Sequence, residues 1–411
     1  MTSSRSCLAL AAFLAGLASA QPLPGDWLLS DFSAAGGTIN YVSPGGTTLT
    51  QILLTPPAAS GLNLAAMHGN NADLMSAYIP NRSQGALPSP ILVITPAGVT
   101  VTIATTAGPA NAADLDQDGT FLLAGGYSPG GPVQELYRLD LPTGMLTTLA
   151  TFTGTPNGLS LDHDTGDALV VNFNTGALLR VQRVTSIVTT IVSGLGSLSG
   201  AEFEPRTGTF IVTRFGIGLL RVTPAGVVST VASPAGSSNG VKVDDETGEI
   251  LVVNTGGTLT HLTPSGTVIQ SRAYPGGRNL SGVELYASRK VSGSGSFAGG
   301  STYNVNFSFP RSGGLSYVAA MSLSQRPGIP LPDGRVINLA IDPLLVLSIG
   351  GIPGITTGFA GVLDGSGRAT GTVTLPSGFP AGLRVFISAV AVNPALPSGF
   401  ETGNTLGATT N

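Results

Sequence analysis

Apolar residues along this chain fall in short runs cut off by Gly, Asn, Asp and Pro, and the clearest example is Pro156–Val181. Leu159–Leu161 alternates, Ala168–Val171 is a run of the buried type, and Leu178–Val181 follows Asn174-Thr175-Gly176. Runs of this length bounded by turn formers read as strands. A fourth run, Ile187–Val192, alternates Thr with Ile and Val and completes a four-stranded unit. Gly166 and Gly176 stand where tight turns need positive φ.

The unit recurs. Asn157-Gly158 matches Ser199-Gly200, Asn239-Gly240 and Ser281-Gly282 downstream, and Asn111-Ala112 and Ser60-Gly61 upstream, at spacings of 40 to 51 residues. A second marker keeps phase between the third and fourth strands: Ser43–Gly46, Thr95–Gly98, Leu141–Gly144, Thr223–Gly226 and Thr263–Gly266, each with Pro second and Gly fourth. Two phased markers at this period predict a six-bladed β-propeller. The first blade, opening at Asp26–Asp31, lacks an innermost strand. Leu280–Tyr286 supplies one at the far end of the repeats, so the late strand is expected to close the ring. An insertion at Pro80–Pro90 reads as a surface loop.

Beyond about Val291 the beat stops. Tyr303, Val305, Phe307 and Phe309 alternate with polar residues, and runs at Tyr317–Leu323, Val336–Ile341, Leu344–Ile349, Phe359–Leu363, Ala369–Leu375 and Leu383–Val392 predict a β-sandwich. The Gly/Ser-rich stretch Val291–Gly300 reads as a flexible boundary. The expected organisation is therefore all-β: residues 1–20 a signal peptide, 21–290 the propeller and 291–411 the sandwich.

Composition narrows the function. Arg5, the apolar stretch Cys7–Ala18 and Ala18-Ser19-Ala20 form a secretory signal with cleavage near Ala20, which places the mature chain outside the cell or in the envelope. Cys7 is the only cysteine, so the mature chain is expected to fold without disulfides. Charged residues are 10% of the chain and the net charge is −4, with no basic stripe for nucleic acid and no later apolar segment long enough to span a membrane. A monomer is expected.

Pro156-Asn157-Gly158, followed by Asp162 and Val170-Val171-Asn172, resembles the blade signature of NHL and SMP-30/gluconolactonase-like propellers, a style shared by streptogramin-lyase-like propellers. The terminal unit resembles C-terminal modules of exported bacterial repeat proteins. The propeller resemblance implies that residues opening each innermost strand face the channel mouth: here Ser60, Asn111, Asn157, Ser199, Asn239 and Ser281. The ends of the second strands supply another ring, Asp31, Tyr78, Gly125, Asn172, Arg214 and Asn254. SMP-30 lactonases hold a divalent metal with Glu, Asn and Asp. By that pattern Asn157 matches the Asn ligand, Ser199 stands where Asp is expected, and no Glu-Gly-Pro opens the first blade. A hard cation would lack its usual carboxylates there.

Other candidate chemistry is sparse. His68, His163 and His261 fall at no metal-ligand spacing and read as solvated, His261 as a surface or inter-blade residue. Asp114–Gly119 approaches a calcium loop, but Gly125 stands where the bidentate Glu belongs, so this turn, Asp162–Asp167 and Asp244–Glu249 read as hairpin turns. Arg214, alone among neutral neighbours, either anchors a ligand carboxylate or sulfate or pairs with Asp31. The expected function is a secreted binding or interaction propeller with no catalytic set and no cofactor, taking a glycan or protein at the mouth formed by Ser60, Asn111, Asn157, Ser199, Asn239, Ser281, Asp31, Asn172, Arg214 and Asn254. One alternative is an SMP-30-like lactonase or esterase with one calcium or zinc ion. A structural surface protein is the other.

Overall fold

The computed structural model describes residues 26–33, 36–54, 66–69, 75–80, 89–94, 100–106, 110–116, 121–127 and 133–411, apart from 142, 234–235, 277 and 286–289. Six antiparallel four-stranded sheets account for the first two thirds of the chain, and each is built from strands consecutive in sequence except the first. Blade 1 joins Leu280–Leu285, as its innermost strand, to Trp27–Ser33, Gly36–Val42 and Thr50–Leu54. Leu28 lies opposite Glu284 and Leu29 opposite Val283, so the expected closure by a late strand is present. Innermost strands of blades 2 to 6 are Ala66–Gly69, Ala110–Leu115, Pro156–Leu161, Leu198–Glu204 and Ser238–Val243. Each neighbours the next around a central channel, and Leu280–Leu285 neighbours Ala66–Gly69 to complete the circuit.

Blades hold one another through apolar side chains between their sheets. Leu159, Leu161 and Val170 of blade 4 pack with Ala112, Leu136 and Ala150 of blade 3. Phe203, Phe210 and Val212 of blade 5 pack against Leu169, Val171 and Leu178 of blade 4. At the closure, Trp27, Leu29, Leu280 and Val283 share a cluster with Leu251, Val253 and Leu259 of blade 6. Burying such side chains stabilises by about 1.5–3 kcal/mol each.

The repeated Asn-Gly marker has a steric cause near the axis. A Cβ on Gly158 would lie 2.6 Å from the Gly200 Cα, one on Gly200 would lie 2.7 Å from the Asn239 carbonyl oxygen, and one on Gly240 would lie 2.8 Å from the Gly282 Cα. Backbone meets backbone, and only glycine leaves the room. A register shift accompanies the marker in these sheets: Asn111, Asn157, Ser199, Asn239 and Ser281 sit in bulges that the second strands do not match. A bulge re-aims the side chain it carries.

Residues 291–411 form a four-stranded and a five-stranded sheet over one core that contains Phe307, Phe309, Phe359, Val305 and Ile387, with a two-stranded ladder of Ile329–Pro330 and Val336–Ile337 beside them. Several expectations change here. Val291–Ser294 is a strand paired with Thr302–Ser308, not a flexible boundary; Val291 is fully buried, a single apolar residue among Ser and Gly that carries little pattern. Pro343–Ser348 is a helix (α1) where a strand was expected, because Asp342 caps it, its carboxylate accepting from the Leu345 N–H at 2.8 Å, with Pro343 at the first helical position. In blade 2 the innermost strand is Ala66–Gly69, six residues beyond the expected start at Ser60, which lies outside the described residues. His68 therefore belongs to a strand and not to a turn. The insertion tip, residues 81–88, lies outside the described residues, as does the expected signal at 1–20.

The glycine contact makes a direct prediction. Gly158→Ala is expected to cost about 1–3 kcal/mol by overpacking, read as a lower melting temperature of the propeller, whereas Ala112→Gly at the matching place in blade 3 shifts it less. Equal tolerance of both substitutions would show that the innermost strands can separate.

Candidate functional site

The propeller has two unlike faces. The turns joining first to second strands lie on one of them, and the 291–411 unit lies across it. Arg384 reaches Asp116 of blade 3 at 3.4 Å and donates through Nε to the His163 carbonyl of blade 4 at 2.9 Å. Arg326 pairs with Asp164 and donates to the Pro205 carbonyl of blade 5 at 3.2 Å, its guanidinium 5.8 Å from the Phe203 ring. Arg335 and Lys290 both pair with Glu246 of blade 6, at 3.3 and 3.7 Å, and Asn338 donates to the Asp245 carbonyl at 2.7 Å. Four blades are thereby tied to one unit. The Asp-rich turns do make turns, with Asp244 accepting from the Glu246 and Thr247 N–H groups at 2.8 Å. They also form the docking surface for the terminal unit, a role sequence pattern missed because its partners lie more than 40 residues away. His163, expected to be solvated, instead packs on Phe203 with ring centroids 5.4 Å apart. His261 sits between blades 6 and 1, 2.9 Å from Glu249 and edge-on to Trp27.

Below the opposite mouth, the fifth residue of the innermost strand in blades 3 to 6 bonds to the next blade. Asp114 accepts from the Leu161 N–H at 2.7 Å, and Ser160 accepts from the Phe203 N–H at 3.1 Å. Lys242 donates to Glu202 at 2.7 Å and to Glu284 at 3.2 Å, clamping blades 5, 6 and 1. Burial pushes the Asp114 carboxyl up to about 6, against the pull of Lys242 and the Leu161 hydrogen bond. Glu202 is raised well above the usual carboxylate range, by burial first, with Lys242 opposing. Burial disfavours the Lys242 ammonium, but Glu202, Glu284 and Asp114 outweigh it and hold its pKa well above the ordinary value. Lys242 thus supplies the counter-charge that a bound cation would otherwise bring. Among the described residues no group of three or more His, Cys, Asp or Glu side chains is arranged to hold a metal ion.

The mouth itself is formed by the bulge residues, above a cavity whose empty volume, including the part open to solvent, is ≈ 450 Å³. Asn157, Ser199 and Ser281 line it, with Glu202 and Glu284 deeper. Their commitments differ. Ser199 is buried, donating to the Ser238 carbonyl at 2.8 Å and meeting Thr213 at 2.9 Å. Asn239 reaches the Leu280 carbonyl at 3.4 Å, and Ser281 meets Ser30 at 2.9 Å. Asn157, half-buried, makes no hydrogen bond among the described residues. Asn111 occupies the blade 3 bulge.

The second expected ring turns inward to the backbone. Asn172 accepts from the Asn174 and Thr175 N–H groups at 3.1 and 3.2 Å and donates to the Thr153 carbonyl at 2.7 Å. Asn254 accepts from Gly256 and Thr258 at 2.9 Å. Both amides build turns and neither faces the channel, because Asn at a strand end satisfies local N–H groups more readily than it reaches across space. Asp31 pairs with Arg278 at 2.9 Å and accepts from the Asn279 N–H. The expected Arg214–Asp31 pair is therefore absent among the described residues: Arg278, next to the strand that closes blade 1, reaches Asp31 first. Arg214 is half-buried with its Nε unpartnered and lies over Gly196. Beside it, Phe173 and Phe215 meet edge-on at 5.9 Å across blades 4 and 5, and Phe215 and Ile217 are exposed on the rim. This aromatic rim was missed from sequence, although Phe directly after Asn172 and Arg214 in consecutive repeats was its visible signal.

Known proteins resemble this chain in fold. No family model and no curated protein matches it in sequence. A chain from the crystal structure of a nidogen/laminin complex superposes with a TM-score of 0.51 at 12% identity, covering 64% of this chain and 99% of its own. TolB from Acinetobacter baumannii gives 0.46 at 13% identity, covering 67% of this chain and 70% of its own. The chain is a β-propeller protein. The comparisons give no support at family level to the resemblance to NHL and SMP-30 propellers. Among the described residues no helix is long and apolar enough to cross a membrane.

Two outcomes follow from the channel charges. Asp114 and Glu202 bind protons more tightly when folded, so they favour the folded state at low pH and this contribution is lost as pH rises through their folded values. The melting temperature is expected to fall between pH 5 and pH 8, the Asp114 share amounting to at most about 3 kcal/mol, and Asp114→Asn should flatten the profile. Lys242→Met, which leaves Glu202 and Glu284 facing each other without a cation, is expected to cost about 3–5 kcal/mol at pH 7 and less at pH 5.

Proposed function

We propose that this protein is an exported binding propeller that takes a protein or glycan partner at its open mouth. The observation that carries the reading is the inequality of the two faces. One is tied to the 291–411 unit by Arg326, Arg335 and Arg384, while on the other the Asn157 amide and the Arg214 Nε have no hydrogen-bond partner among the described residues, beside exposed Phe215 and Ile217. An Arg among aromatic side chains on a polar rim is the composition of a recognition hot spot. The similar nidogen/laminin chain belongs to a protein–protein complex, which is consistent with this use of the fold. The terminal unit is proposed as an attachment module, and the N-terminal segment as the export signal.

The second reading keeps the SMP-30-like metal-dependent lactonase, with Asn157 as the residue that matches the family's ligand pattern. Glu202 and Glu284 share the same cavity, which is the observation in its favour, but Lys242 already neutralises part of their charge. In that reading the divalent ion would polarise a lactone carbonyl or activate a water molecule.

Screening the purified chain on a glycan array, and against secreted protein fractions by photo-cross-linking from position 215, tests the first reading. Asn157→Ala and Arg214→Ala are each expected to weaken capture about tenfold with an unchanged melting temperature. Full binding by both variants would move the site off the mouth. Elemental analysis before and after chelator dialysis separates the readings: one tightly held dication per chain, with loss of ester or lactone turnover on its removal, favours the hydrolase.

A further inference from the structure

The terminal unit carries an uncharged apolar surface on the side away from its core. One of its sheets runs in the order Ala360–Val362, Ser316–Ser322, Arg384–Val392, Phe400–Thr402. Tyr317, Ala319, Met321, Ile387, Ala389 and Ala391 face the core, so alternation puts Val318, Val390, Val392, Ala360 and Val362 on the outer face. Register agrees: Val318 lies opposite both Ala360 and Val390, and Val392 lies opposite Phe400. Helix α1 covers only part of this face, with Leu345 packed on Ala320 and Phe386. Its other side is bare. Ile341, Val346, Leu347 and Ile349 are 58–71% exposed, and Val362 is 66% exposed on the strand that ends the sheet.

We infer that this face packs against the same face of a second copy of the chain about a two-fold axis. Three features favour a second copy over another occupant. No charged residue occurs between Asp342 and Asp364, in Ser316–Ser322 or in Val385–Val392. A two-fold interface sets a patch against itself, so a charged patch would repel its copy, and a neutral apolar one is self-complementary. The large exposed side chains of Ile341, Val346, Leu347, Ile349 and Val362 form a patch that is large for a monomer, and covering it from both sides of a two-fold axis suits the lower end of stable interfaces, about 1,200 Å². The propeller docks at the opposite edge of this sheet, where Thr402 donates to Glu246 at 2.8 Å, so the free edge at Ala360–Val362 stays clear of it. The inference is independent of what the channel mouth binds, and it replaces the monomer expected from sequence.

Sedimentation equilibrium of the purified full chain from about 1 to 100 µM tests this. Wild type is expected to approach twice the chain mass at the upper end. The double variant Val346→Asp/Leu347→Asp should associate at least tenfold more weakly with an unchanged melting temperature, because both positions are exposed. Val362→Lys, at the far side of the same face, should act alike and covers the case in which the helix variant misfolds. A wild-type chain that stays monomeric at 100 µM overturns the proposal, as does a dimer that both variants leave intact. A monomer that instead binds neutral phosphatidylcholine vesicles through Val346 and Leu347 would assign the face to a lipid surface.

Discussion

In blades 4, 5, 6 and 1 adjacent innermost strands meet at glycine, closer than a side chain allows. Gly158 against Gly200 and Gly240 against Gly282 bring backbone onto backbone around the axis, and the rest of the propeller follows from that approach. Close packing puts the bulge residues Asn157, Ser199 and Ser281 at one rim and lets Ser160 and Asp114 hydrogen-bond to the next blade's backbone. Those bonds run sideways around the ring, whereas the sheet ladders run outward along each blade. Together they leave little freedom for a blade to tilt without breaking a neighbour.

Charge is used sparingly, and mostly for holding. With charged residues at 10% of the chain, the described ion pairs fall in the channel, at the seam with the terminal unit, and within or between blades, as Arg180–Asp162 and Arg221–Glu204 do. Lys242 between Glu202 and Glu284 ties blades 5 and 6 to the late strand that closes blade 1. Arg326, Arg335 and Arg384 bridge the seam. Arg suits that seam, since its fork serves a carboxylate and a carbonyl at once, as Arg326 does with Asp164 and Pro205. The Arg214 guanidinium departs from this economy, its buried Nε without a partner among the described residues.

Much of the fold was legible because it repeats. The Asn-Gly and Pro-x-x-Gly markers recur in phase, so errors in one blade were corrected by the others, and even the closing strand at Leu280 followed from the one blade that lacked it. Where repetition failed, reading failed. Blade 2 carries a weak marker, and its innermost strand lies at Ala66–Gly69, not at Ser60. In the terminal unit, Leu344–Ile349 has the composition of a strand, and only the Asp342-Pro343 cap makes it a helix.

The propeller, its blade count, its closure and the bulge residues of blades 1 and 3 to 6 were written in the chain's local period and in where glycine is tolerated. Tertiary structure decided which of those residues are free. Asn157 and Asn172 are the same side chain in the same blade, yet Asn172 is consumed by its own turn while Asn157 remains available at the mouth. Some polar groups are satisfied by their own turn and others only by residues far along the chain, as Asp31 is by Arg278, 247 residues on. No one-dimensional pattern carries those distances, which is why the partners of Asp31, the docking role of the Asp-rich turns and the bare face beside α1 became visible only in the folded chain.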